Sequence, residues 1–235
     1  MKLGDIDDQF FTFCMFVLVL LLLQLIAFIT ELPKLINNLS TPSIVNKPIK
    51  LNGTFKGLIV LASYTGIDSP AHSALKHHWN NWNGNLEYFW IITGGPISID
   101  ATRDFLREEL GIYNSGKFEY TVMSPNNKNR KLKVFIINIA PPKHNNPYQV
   151  FQAVNRIYSD AYRKFNIDES QIIADYTGGT KGMTSGLTLA CASSKRNIEF
   201  MEPREYTEEG RAITEKGSEA TEIQVAFKVK PLKKG

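Results

Sequence analysis

The side chains best placed to do chemistry lie together between Gln171 and Ala190, in QIIADYTGGTKGMTSGLTLA. A short apolar run, Ile172-Ile173-Ala174, leads into a polar glycine loop and then into a helix rich in small residues. Gly178 and Gly179 lack a Cβ and can take positive φ, so the loop can turn tightly and bring N–H groups close to an anion. The helix that follows presents its N-terminus, with unpaired N–H groups and partial positive charge, to the same spot. Thr177 and Thr180 add hydroxyls, and Lys181 adds a full charge. Such a loop suits a phosphate or a sugar-phosphate backbone; the plainer alternative is a glycine turn joining a strand to a helix. It is not a Walker A loop, because Gly182 follows Lys181 where Ser or Thr is required. Nor do Gly178, Gly179 and Gly182 have the spacing of the dinucleotide fingerprint.

Two further turns are expected on the same edge. The apolar run Leu58 to Ala62 reads as a buried parallel strand and ends in Ser63-Tyr64-Thr65-Gly66. A second strand, Leu86 to Thr93, closes in Gly94-Gly95-Pro96. Ligands of open α/β sheets bind beyond the carboxyl ends of the strands, so Ser63, Tyr64, Thr65, Thr93 and Gly94 join the glycine loop as candidate ligand contacts. A simple turn serine is the competing reading of Ser63. Metal chemistry is not expected: His77 and His78 are adjacent and diverge on a helix, no cysteine cluster or H-E-x-x-H is present, and His72 and His144 stand alone.

The nine residues Asp175-Tyr176-Thr177-Gly178-Gly179-Thr180-Lys181-Gly182-Met183 resemble the D-x-T-G-G-T-K-x-M signature of CARF domains, the sensors of type III CRISPR defence. Outside that motif the resemblance covers only the order of elements between Phe55 and Phe227. It implies a Rossmann-like dimer that binds cyclic oligoadenylate in a cleft on its two-fold axis, with no cofactor and no nucleic acid polymer as partner. Cyclic tetra-adenylate is the ring expected first. The family also places a hydroxyl residue near the ligand or its scissile phosphate, which falls on Ser63. Some members cut their own ligand, and that implication would make Ser63 and Lys181 catalytic; otherwise no catalytic residue is expected.

The expected fold is therefore α/β, a Rossmann-like domain with a mostly parallel sheet, preceded by one transmembrane helix. Phe10 to Ile29 carries no formal charge over 20 residues, long enough at about 1.5 Å per residue to cross a hydrocarbon core of about 30 Å. Acidic residues precede it and no small-residue cleavage site follows, which argues for an uncleaved anchor and against a signal peptide. Lys2 alone precedes the span, whereas Lys34, Lys47, Lys50 and Lys56 follow it. The positive-inside rule then puts residues 1–9 outside and the C-terminal domain in the cytoplasm. Gln24, the strongly polar side chain of the span, is a candidate pore-lining or helix–helix contact. Residues 31–52, with Pro33, Pro42 and Pro48, read as a juxtamembrane linker.

Within 53–235 strand and helix signals alternate. Pro70 to Trp79 and Asp100 to Leu110 read as helices, Phe118 to Met123 and Lys131 to Ile139 as an edge hairpin, and Pro147 to Phe165 as the longest helix. Val150, Phe151, Val154, Ile157, Tyr158, Ala161, Tyr162 and Phe165 form its apolar stripe, a core or dimer face. Asn197 to Met201 and Thr221 to Lys230 read as strands, separated by a charged connection. The two cysteines fit a reducing compartment. A net charge of +4, concentrated after residue 30, suits an anionic ligand or a lipid surface. Three functions follow as expectations. The first is a membrane effector, dimeric or tetrameric, that relays ligand binding to its anchor and opens a pore or disturbs the bilayer. The others are a tethered ring nuclease and a nucleotide-binding adaptor for a partner protein.

Overall fold

A computed structural model describes residues 13, 15–22, 24, 26, 48–62, 69–113, 117–194, 196–213 and 216–223. The chain divides into two units, Met1–Ser43 with Lys228–Gly235, and Ile44–Phe227. In the first unit the described residues 13, 15–22, 24 and 26 are helical and exposed, Gln24 among them. The expected span Phe10 to Ile29 lies only in part within the described residues, and among those no helix is long and apolar enough to cross a membrane. Most of the expected linker, residues 31–47, also lies outside them.

The second unit is built on one eight-stranded sheet with the order β1-β8-β7-β6-β2-β3-β5-β4. In chain order the strands are β1 (Ile49–Lys50), β2 (Gly57–Leu61), β3 (Tyr88–Thr93), β4 (Glu119–Met123), β5 (Lys131–Asn138), β6 (Ile172–Asp175), β7 (Asn197–Pro203) and β8 (Ser218–Ile223). The central strands β7, β6, β2, β3 and β5 run parallel, while β4 and β8 pair antiparallel at the flanks and β1 extends β8. Chain direction across the sheet reverses between β2 and β6, the place where an open α/β sheet leaves a crevice beyond its carboxyl ends.

Four helices cover the sheet: α1 (Pro70–Trp79), α2 (Pro96–Leu110), α3 (Pro147–Phe165) and α4 (Lys181–Ser193). Their boundaries follow local chemistry. Ser69, Asn146 and Thr180 are N-caps whose side chains accept from His72, Tyr148 and Met183 N–H groups, and proline opens α1, α2 and α3. Left-handed Asn80, Gly111 and Asn166 end α1, α2 and α3.

Alternation along the buried strands builds two cores. Leu58, Val60, Phe89, Ile91 and Ile173 face α1 and α2, whereas Ile59, Leu61, Trp90, Ile92 and Ala174 face α3 and α4. The stripe expected on α3 is buried at Val150, Val154, Ile157, Tyr158 and Ala161, but Tyr162 is 61% exposed. A helical stripe wider than its contact with the sheet leaves its flank in solvent.

Several boundaries differ from the sequence reading. Ile49 and Lys50, expected in the linker, pair with Glu222 and Thr221. Two residues of backbone pairing leave no hydrophobic period for a sequence to display. Helix α2 starts at Pro96 rather than Asp100, because Pro96 fits the first turn and Gly95, at φ 121°, makes the break before it. The last strand spans Ser218–Ile223, and residues from 224 onward lie outside those described.

Candidate functional site

Strand β6 ends at Asp175, which pairs in register with Val60 of β2 on one side and Glu199 of β7 on the other. The loop that follows is pinned from three directions. The Asp175 carboxylate accepts from the Thr177 N–H at 2.8 Å and from the Thr177 hydroxyl. That hydroxyl in turn accepts from the Met201 N–H of β7 at 2.7 Å. Thr184, in the first turn of α4, donates its hydroxyl to the Gly178 carbonyl at 3.1 Å. Gly178 lies against the end of β2 so closely that a Cβ would overlap the Leu61 carbonyl oxygen, and Gly179 takes φ +82°. The chain is thus bent over the carboxyl end of β2 and delivered to α4.

Among the described residues, the bend leaves several backbone donors without a protein acceptor, the N–H groups of Gly178, Gly179, Thr180 and Lys181. Thr180 caps the helix as acceptor for Met183 N–H at 3.4 Å, which leaves its own hydroxyl proton available. Lys181 is exposed at the first position of α4, and no ion pair engages it among the described residues. Helix N-terminus, free N–H groups and ammonium therefore share one place, and an anion there would meet all three.

The remaining candidates fall differently. Thr93 is fully buried and donates its hydroxyl to Asn138 Oδ1 at 3.2 Å, so it fixes the ends of β3 and β5 to each other. Gly94 lies beside the loop: a Cβ there would stand 2.9 Å from the His144 ring and 3.3 Å from the Met183 sulfur. Thr177 is spent within the loop as both donor and acceptor. Ser63, Tyr64 and Thr65 lie outside the described residues, and so does the turn they would complete. Among the described residues a small hollow of about 20 Å³ is lined by Ala62, Ser69, Ala71, Ile91, Thr102 and Phe105 among others. Gln24 belongs to the other unit.

Sequence reasoning passed over the acid cluster below the loop. His78 of α1 and Glu199 are both fully buried, and His78 Nε2 lies 2.8 Å from Glu199 Oε1. His78 Nδ1 accepts from the Phe55 N–H at 3.2 Å, so the neutral ring carries its proton on Nε2 and donates it to Glu199. Burial pushes the imidazole down to about 3. Burial likewise raises Glu199 to about 8, and its Oε2 meets no donor among the described residues. Asp175 rises to about 8 through burial first and then the neighbouring Glu199 charge, against the two Thr177 hydrogen bonds. Burial thus favours the neutral form of both carboxyl groups, at the end of β6 and in β7.

His144 was also passed over. It packs on Gly94, and its Nδ1 is buried without a partner among the described residues. No periodicity marks a histidine in a connection, and only the packing of Met183 and Gly94 brings it to this edge. Among the described residues no cluster of three or more His, Cys, Asp or Glu could hold a metal.

No family model and no curated protein matches the chain. Solved structures that overlap it include Can2 from Sulfobacillus thermosulfidooxidans in complex with cyclic tetra-adenylate. That overlap has 12% identity and a TM-score of 0.40, over 62% of this chain and 32% of that one. Enterococcus italicus Csm6 bound to cyclic hexa-2'-fluoro-hexa-dAMP overlaps with 14% identity and a TM-score of 0.48, over 74% of this chain and 43% of that one. In both cases the chain spans less than half the length of the matched protein. The assignment of the site rests on its own geometry.

Proposed function

We propose that this chain is a membrane-attached sensor in which two copies hold a cyclic oligoadenylate between their glycine loops. One observation carries the reading: the motif Asp175 to Met183 lies at the β2/β6 reversal of a Rossmann-type sheet, with unpaired N–H groups and Lys181 at its surface. A ring of repeated phosphates has two-fold symmetry available to it, and an isologous dimer offers each half the same donors. Cyclic tetra-adenylate is the ring proposed first. The uncharged stretch Phe10 to Ile29 supports an anchor, with the sensor on the cytoplasmic side and Gln24 as a contact between anchors. Ligand shifts such an assembly only as far as it binds one state better than the other, and the proposed output is a pore or a disturbed bilayer.

The test is calorimetric titration of the full chain in detergent with cyclic tri-, tetra- and hexa-adenylate, beside Lys181→Ala. Tight binding of one ring is expected, weakened at least tenfold in the variant, because a charge-assisted hydrogen bond is worth about 1.5–3 kcal/mol. A folded protein that binds no ring overturns the proposal. Dye-filled vesicles carrying the chain should leak on adding the ring that binds; binding without leakage would keep the sensor and remove the membrane output. Recovery of linear products would add ring cleavage to binding.

A further inference from the structure

The opposite, amino edge of the sheet carries a hollow of about 840 Å³, bounded by the starts of β2, β3, β5 and β6. Its floor is tied down by backbone. The Lys56 carbonyl accepts from the N–H groups of Glu87 and Tyr88 at 2.9 and 3.0 Å, and the Glu87 carbonyl accepts from Lys133 N–H at 2.8 Å. The turn before β5 supplies the rim, where Arg130 N–H bonds the Asn127 carbonyl at 2.9 Å.

Four cations line this hollow, Lys56, Arg130, Lys131 and Lys133, against one acid, Glu87. Arg130 donates to the carbonyls of Trp82 and Gly84 and lies 6.0 Å over the Trp82 ring. Those contacts fix its position without neutralising it. Lys133 Nζ sits 4.8 Å over Phe165 and 5.9 Å over Tyr88. The rings attract the ammonium, yet among the described residues its N–H groups find no oxygen. Lys50, Arg103, Arg107, Arg163, Arg196 and Arg204 each lie 3.4 Å or less from a carboxylate. No such ion pair engages any of the four cations of the hollow among the described residues.

An excess of positive charge set in a concave wall, with Arg130 and Lys133 held in place, focuses an anion-attracting field. Guanidinium and ammonium donors match phosphate oxygens, and the volume falls in the range of about 300–1,000 Å³ that holds small ligands. We infer that this hollow is a second anion site, taking a small polyphosphorylated ligand of the nucleoside triphosphate class. The asparagine amides Asn83, Asn85 and Asn129 offer the neutral donors and acceptors that such a ligand also requires. The inference does not depend on what the glycine loop binds, since the two sites lie at opposite ends of the strands.

The experiment titrates the full chain with ATP and with inorganic triphosphate, for the wild type, Lys133→Met, Lys131→Glu and Lys181→Ala. Lys133→Met keeps the aliphatic stem over the rings, and Lys131→Glu changes an exposed side chain, so at least one variant should keep the native melting transition. Micromolar binding that falls at least tenfold in both amino-edge variants, weakens with added salt and is unchanged in Lys181→Ala is expected. Absence of binding, or loss confined to Lys181→Ala, overturns the site. Binding to anionic phosphatidylserine vesicles with none to ATP or triphosphate also overturns it, in favour of a headgroup surface.

Discussion

At the carboxyl edge Asp175 and Glu199 stand side by side with their charge suppressed by burial, whereas at the amino edge Lys56, Arg130, Lys131 and Lys133 line an open hollow. The first arrangement is closed by hydrogen bonds within the protein, and its free donors are backbone N–H groups held by those bonds. The second leaves the ammonium groups of Lys56, Lys131 and Lys133 without an acceptor among the described residues, while Arg130 is held by the Trp82 and Gly84 carbonyls. Changes at the carboxyl edge should therefore cost stability along with binding, and changes at the amino edge should cost binding alone.

The sharpest test of that contrast is Gly178→Ala. Its Cβ would overlap the Leu61 carbonyl, so the loop must lift from β2, at about 3 kcal/mol of stability. Thermal melting should show the loss together with failure to bind the ring; a variant that melts like wild type would mean the loop is not pressed on β2. His78→Leu should follow at about 2 kcal/mol, because Glu199 Oε1 and the Phe55 N–H both lose a buried partner.

The acid cluster adds a pH signature. Glu199 and Asp175 hold protons in the folded state up to about 8, while the unfolded carboxyls release them near 4. Stability is thus lost as pH rises through that window, by up to about 1.4 kcal/mol per pH unit for each carboxyl. His78 acts at the other end: lowered to about 3, it costs stability as pH falls below its unfolded value near 6.5. Glu199→Gln retains an acceptor for His78 and should flatten the slope between pH 5 and 8, read by denaturant midpoints across pH; an unchanged slope would assign it elsewhere. Thr177→Val, which removes the bond to Met201 N–H, should cost about 1 kcal/mol. Lys133→Met should shift the melting midpoint least, and a loss above about 1 kcal/mol there would erase the contrast between the edges.

Much of the frame was legible in the residues. Proline and asparagine bound α3 as expected from Pro147 to Phe165, and the continuous apolar runs became central parallel strands. The hairpin of β4 and β5 stands at the sheet edge as its turn residues suggested. The role of Thr177 was not legible: the same hydroxyl that could meet a ligand bonds Asp175 and β7, and only the approach of Met201 decides between them.

By itself, then, the sequence determined the local matters: where strands give way to turns, which helices carry caps, and that two glycines precede a lysine at the head of α4. Each depends on neighbours within a few residues, through φ preference, capping or periodicity. Tertiary structure alone decided that His78 meets Glu199 across 121 positions of chain, that His144 reaches Gly94, and that Lys56 shares one hollow with the cations Arg130, Lys131 and Lys133 of a distant segment. Burial, charge suppression and field are properties of what surrounds a group in space, and no local pattern in the chain encodes that surrounding.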